Sequence, residues 1–295
     1  MADRATTIEE QIALLESRGM KIDDKDKAQE NLLDIGYYRL GFYWFPFEKT
    51  YPRKVRRNHL FKDGIEFDYA IKLYYFDFDL RNIFLRYISR IEVNFRTTSI
   101  YYVSNTYKDN PYWYVDSSII KKEMIDSADY QKALNDLSKE SVIRIDKEEH
   151  RRREFPPAWK ALEYMSFGII IKLYDSILNN HLRCDISNVY GISSPSQFSN
   201  YINTIRKLRN YCAHGKVLFD LKLDEAIGNG PLGYLGNRKV MLSGMYMVFK
   251  YFLNKISANR VKEMQEEVLR AFNRIPYPIV TTVVFDNSGF KIEEI

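Results

Sequence analysis

From Phe67 to about Tyr107 the chain carries apolar side chains at Ile71, Tyr74, Tyr75, Phe78, Ile83, Leu85, Ile88, Ile91 and Phe95. Steps of three and four residues are the signature of a helix with a broad apolar face. Whether this is one long helix or two in succession, so much apolar surface has to be surrounded by other elements. The spacing therefore predicts a central helical hub and an all-α, multi-helix bundle built around it.

The remaining segments supply partners for that hub. A short helix is expected from Thr6 or Thr7 to Ser17, ended by Gly19, and a second from about Asp23 to Ile35. Tyr37 to Phe47 is too aromatic for a linker and should lie against the core. Asp109, Asn110 and Pro111 interrupt the long run, and the charged stretch that follows reads as a helical insertion. Ala158 to Leu178 reads as one helix in which Gly168 lets another backbone come close. Gly228 to Gly236 has neither GxGxxG nor GxxxxGK spacing and reads as a plain connection. Lys239 to Asn254 and Ala258 to Asn273 read as closing helices. The β-branched run Ile279 to Phe285, followed by Asp286-Asn287-Ser288-Gly289, predicts a terminal β-hairpin or an extended arm. The expected organisation is an N-terminal helical, Tyr-rich and basic segment (1–64), a helical core (65–257) with an insertion at about 109–154, and a C-terminal helix and arm (258–295).

With 295 residues there is ample chain to bury a core, and 45% hydrophobic and 28% charged residues suit a folded soluble protein. The 23 Tyr and 18 Phe chiefly predict an aromatic core. Tyr37, Tyr38 and Tyr43, flanking Arg39, are the ones placed to stack on unpaired bases. A net charge of +5 is too mild by itself to demand nucleic acid. Its distribution is more telling. Lys49 to Lys62 holds six Lys or Arg and no acid, including Arg53, Lys54, Arg56 and Arg57, and His150 to Arg153 adds Arg151, Arg152 and Arg153. Each cluster is either a solvated loop or a phosphate-binding surface. Two cysteines, Cys184 and Cys212, make no disulfide framework and lack metal-ligand spacing. No leader or membrane-spanning run is evident, so a cytoplasmic location and no membrane partner are expected.

The most purposeful stretch is Ser193 to Asp220. Ser194 followed by Pro195 signals a helix start, since Ser can accept free amide hydrogens and Pro lacks the one that would be orphaned. Ile202, Ile205, Leu208 and Cys212 then mark a buried stripe, and Gly215 a stop. The opposite side carries Arg206, Lys207, Arg209, Asn210 and His214, with Lys216 just beyond.

The sequence RNYCAH, Arg209 to His214, resembles the Arg-x4-6-His signature of HEPN-type ribonucleases in the RNxxAH form of Abi-like (abortive infection) proteins of bacteria. Three further blocks resemble that family in the same order: Ile35 to Phe47, Tyr74 to Thr97 and Pro156 to Tyr174. From the first to the last, the blocks span roughly two thirds of the chain. Arg53 with His59 and Arg144 with His150 fit the loose spacing alone and are assigned no catalytic role. The chain departs from the family after the motif, where Gly215, Lys216 and Val217 stand in place of a second His and a following Arg. The resemblance implies a HEPN-like helical bundle and a metal-independent endoribonuclease of phage-defence or toxin-antitoxin type. It also implies a composite site at a homodimer interface, restrained by a noncoding RNA or an antitoxin.

The residue chemistry is compatible with that implication. Cleaving RNA without a metal requires a base for the ribose 2′-hydroxyl, a cation for the charged phosphorane and an acid for the departing oxygen. An imidazole such as that of His214 exchanges protons near neutral pH. Arg209 is permanently charged and fits phosphate oxygens bidentately. Asn210, one turn before His214, shares its face and is placed to orient the ring or donate to phosphate. Five helical steps turn through about 140°, so Arg209 and His214 do not converge on a regular helix. Either the helix breaks near His214 or a second copy completes the site. No HExxH or similar cluster appears, and no cofactor or metal is expected. Glu92 and Glu163 are expected to buttress the site without reacting. The alternative functions are an RNA-binding scaffold that uses Arg206, Lys207, Lys216, Arg39 and the basic clusters without catalysis, and a protein-interaction module acting through the C-terminal arm. The plainest reading of the motif is a histidine placed favourably at a helix C-terminus beside a surface arginine.

Overall fold

The computed structural model describes residues 4–294. Fourteen α-helices and several 3-10 turns make up its regular structure, and among the described residues the only β pairing is isolated bridges. The all-α expectation holds. The chain forms two compact units, one from Met1–Ile83, Gly215–Lys222 and Gln265–Ile295, the other from Phe84–His214 and Leu223–Met264.

Helix α1 (Ile8–Ser17) begins at a capping box in which Thr7 and Glu10 each bond the other's backbone N–H. Helix α2 (Lys25–Asp34) begins at Asp24, whose carboxylate accepts from Lys27 N. Helix α3 (Tyr37–Trp44) buries Leu40, Tyr43 and Trp44 and runs into a 3-10 turn at Phe45–Phe47, so the aromatic block does join the core. Helix α4 (Phe67–Thr106) is one uninterrupted helix of 40 residues, about 60 Å long at the standard rise. Its apolar face is narrower than the sequence implied, because Tyr75 and Phe78 remain 43% and 44% exposed. In the first unit its Phe76 ring meets Phe272 at 4.7 Å. In the second, Phe95 lies 5.8, 6.5 and 5.6 Å from the rings of Tyr174, Tyr190 and Phe198.

The charged stretch after α4 is helical, as α5 (Lys122–Ile125), α6 (Ala128–Leu137) and α7 (Ser141–Glu149). The single helix expected over Ala158 to Leu178 is broken. It comprises α8 (Ala158–Ala161), a 3-10 turn at Leu162–Tyr164 and α9 (Phe167–Ser176). Ser166 causes the restart by accepting from Ile169 N. The group that approaches Gly168 is the Arg206 side chain, its Cδ 3.5 Å from where a Cβ would stand, and not a second backbone. Helix α10 (Asn180–Asn188) leads to α11 (Pro195–Ala213), and α12 (Leu242–Ile256) and α13 (Ala258–Asn273) follow.

The terminal hairpin or arm is a misreading of the sequence: Pro278–Ser288 is a helix, α14. Pro278 occupies its first turn and Gly289 closes it in the left-handed conformation at φ 73°. Val280 and Val284, one turn apart, are fully buried, and Phe285 stacks on Phe272 at 5.3 Å. The hydroxyls of Thr281 and Thr282 bond back to the carbonyls of Tyr277 and Pro278. Burial and these bonds outweigh the strand preference of β-branched residues.

Candidate active site

Helix α11 follows the sequence closely. Ser194 accepts from Gln197 N, Pro195 takes the first position, and the helix ends at Ala213. Ile202, Ile205, Leu208 and Cys212 are buried as one stripe. Phe198 anchors the N-terminal end, its ring 5.1, 5.3 and 5.7 Å from Tyr174, Tyr190 and Phe252. Ring burial at one end and an aliphatic stripe along its length fix which side of α11 faces outward.

That outward side presents Arg206, Lys207, Arg209 and Asn210 half-buried and His214 exposed. His214 has left the helix, with φ −91° and ψ 11°, while its N–H still donates to Asn210 O at 2.9 Å. The helix thus ends at His214, yet among the described residues no hydrogen bond or ion pair joins His214 to Arg209. Arg209 lies with its Nε 3.9 Å from Glu92 Oε2, and its Nη1 donates to Asn210 Oδ1 at 3.4 Å. Glu92 accepts in turn from Arg96 at 3.3 Å, and Arg96 donates to Met165 O at 3.0 Å. Arg96 also reaches Glu163 at 3.8 Å. Glu92 contacts the motif arginine directly, whereas Glu163 lies one step behind. Lys207 pairs with Glu225 at 2.6 Å, and Arg206 donates to Asn203 Oδ1 at 3.0 Å.

The residues after His214 in the chain are gripped within the first unit. Gly215, at φ 62°, accepts from Arg39 through its carbonyl at 2.6 Å, and Lys216 O accepts from Arg81 at 3.2 Å. Asp77, fully buried, accepts from Leu218 N, Phe219 N, Arg81 and the Tyr43 hydroxyl at 2.8, 2.9, 2.9 and 3.1 Å. Burial pushes its carboxyl up to about 6, and these four donors pull the other way. Sequence reasoning missed this cluster. Its signal was an acid and a base four residues apart, Asp77 and Arg81, on the helix expected to form the hub.

The other expected cations have different surroundings. Arg53, Lys54, Arg56, Arg151, Arg152 and Lys216 are exposed and Arg153 is half-buried. Arg57 is held by the buried Glu48, at 2.9 Å through Nε, and lies over the Phe45 ring at 4.3 Å. The first unit carries the Lys49 to Lys62 loop, and α11 belongs to the second. Of the three tyrosines expected to stack on bases, Tyr43 is buried and engaged with Asp77, whereas Tyr38 is 83% exposed. Tyr201 fills the space beside Gly230, where a Cβ would lie 2.7 Å from its ring, so packing accounts for glycine in that loop.

Among the described residues no three His, Cys, Asp or Glu side chains gather in a way that could hold a metal ion, and no helix is long and apolar enough to cross a membrane. No curated protein and no solved structure matches the chain. A family match, described as Abi-like protein, runs over residues 30–220, from the second half of α2 through α11. It covers well over half of the sequence, and the chain belongs to the Abi-like protein family.

Proposed function

We propose that this protein is a metal-independent endoribonuclease of bacterial abortive infection or of toxin-antitoxin type. The observation that carries the reading is the outward end of α11, where an exposed imidazole follows a guanidinium held by Glu92. In the reaction, a base removes the ribose 2′-hydroxyl proton, the freed oxygen attacks the adjacent phosphorus, and the 5′-oxygen leaves with a proton from an acid. Arg209 stabilises the charge gathered on the phosphorane oxygens, and Asn210 orients Arg209 or donates to the phosphate. A single imidazole serves as either base or acid in one step. A second copy related by a twofold axis supplies the other His214, which favours a homodimer as the working form. A noncoding RNA or antitoxin is the proposed restraint.

Labelled RNA incubated with the protein in EDTA tests the chemistry. Cleavage that survives chelation supports the reading, and binding without cleavage favours a scaffold instead. Sedimentation across the assay range tests the dimer; an active monomer would remove the second imidazole from the mechanism. Binding should also weaken with salt. Three or four phosphate contacts on single-stranded RNA give a loss of roughly tenfold to fiftyfold between 50 and 200 mM salt. A flat salt response would point to an interaction module.

Glu92 acts as a positioning residue. With Arg209 42% exposed and 3.9 Å away, the ion pair is worth less than about 1 kcal/mol. Glu92→Gln is therefore expected to slow cleavage by less than about tenfold, mostly in kcat, and to add nothing in an Arg209→Ala background. Additive losses would show that Glu92 acts on something other than Arg209.

A further inference from the structure

A second site lies in the first unit, in a cleft of about 560 Å3 between α1, α3 and the turn that carries Arg57 and His59. The volume is in the range of small-molecule sites. Tyr38 and Phe42 stand at it 83% and 46% exposed, edge to face with centroids 5.5 Å apart. No carboxylate is among the residues that line it. Arg18 donates to the Tyr37 hydroxyl at 3.0 Å and has no carboxylate partner among the described residues, so its other N–H groups are available to an anion. Arg57 and His59 both face Glu48, which is buried behind them, so that carboxylate is already neutralised.

We propose that this cleft binds one unpaired nucleotide of a single-stranded RNA, the base against Tyr38 and Phe42 and the phosphate on Arg18. Exposed aromatic faces beside guanidinium groups hold bases by stacking and backbone by charge, with little dependence on sequence. The neighbouring turn favours a strand over a free nucleotide. Arg53 and Arg56 are exposed there without a carboxylate partner among the described residues, ready for the adjoining phosphates. Arg56 and His59 hold left-handed backbone, φ 54° and 59°, which persists only where surrounding contacts impose it. Arg57 and His59 anchor the turn on Glu48. The site rests on the reading that the protein handles RNA, but not on the cleavage chemistry.

Binding is best measured on full-length His214→Ala protein, so that bound RNA is not cut, by anisotropy of labelled hexa-adenosine and hexauridine. Tyr38→Ala and Arg18→Gln should each weaken both hexamers by roughly tenfold or more. Tyr38 is so exposed that its truncation does not threaten the fold. Competition by AMP as effective as by the hexamer would keep the cleft as a nucleotide site and move its ligand from a strand to a free nucleotide. Unchanged hexamer affinity in both variants, each with an unaltered circular dichroism spectrum, overturns the site. So does displacement of the hexamers by inorganic phosphate as readily as by AMP, because stacking would then contribute nothing. Cleavage by the unaltered protein is read separately, so failure of this site and failure of the ribonuclease reading give different results.

Discussion

His214→Ala is expected to lower RNA cleavage in EDTA by about 10²- to 10⁴-fold, the usual contribution of a positioned acid or base. Arg209→Ala should cost about 10²- to 10³-fold, the loss typical of a donor that stabilises transition-state charge. Neither change should disturb folding. His214 is exposed and stands one residue past the end of α11, and Arg209 sits at the edge of the stripe of Ile202 and Ile205 with its side chain 42% exposed. Unchanged thermal unfolding with abolished cleavage is therefore the expected pair of results. Arg209→Lys separates charge from geometry: an ammonium keeps the charge but cannot bind two phosphate oxygens as a planar fork, so recovery should be slight. Cleavage by the His214→Ala protein at the unaltered rate would refute the assignment.

Asp77→Ala is expected to destabilise the protein by about 3–5 kcal/mol in chemical denaturation. The change leaves Arg81, only 6% exposed at its side chain, without its counter-charge. It also orphans the N–H groups of Leu218 and Phe219. Removing both charges with Asp77→Ala and Arg81→Met should cost less than the two single changes added together, because no buried charge is then left alone. An additive result would show that the pair is not coupled. The same carboxyl leaves a trace in the pH dependence. It titrates near 3.8 in the unfolded chain and about 6 in the folded one, so the folded state binds the proton more tightly. The contribution of Asp77 to stability thus falls as pH rises from about 4 to about 6 and is level above that. Asp77→Asn should remove that slope.

Much of the fold could be read from local chemistry. Thr7 and Ser194 were recognisable as helix starts, and the second helix was placed within a residue of its Asp24 cap, because a capping side chain needs only the backbone of its own first turn. The motif helix was legible for the same reason, down to its stop before Gly215. What escaped was set by distant parts of the chain. The helix at Pro278–Ser288 depends on a ring contact with Phe272 and on burial of Val280 and Val284, which periodicity over seven residues cannot supply. Tyr38 and Tyr43 are five residues apart in one aromatic block, yet one is solvent-facing and the other bonds Asp77. Composition gives both the same value; only the face of α3 on which each falls tells them apart. The acid behind Arg209 was within reach, since Glu92 stood on the helix judged to be central. Its link through Arg96 to Met165 O required the fold.

The first unit is assembled from three separated stretches of chain, the last beginning at Gln265. Phe272, which meets Phe76, and Tyr277, whose hydroxyl donates to Asp68 at 2.8 Å, both lie in that last stretch. During synthesis the ribosome delivers these partners only after α11 has already emerged. A polypeptide cut short by a premature stop or a stalled ribosome therefore carries the motif but leaves Phe76 and Asp68 without those partners, and it should be a ready target for cellular proteases.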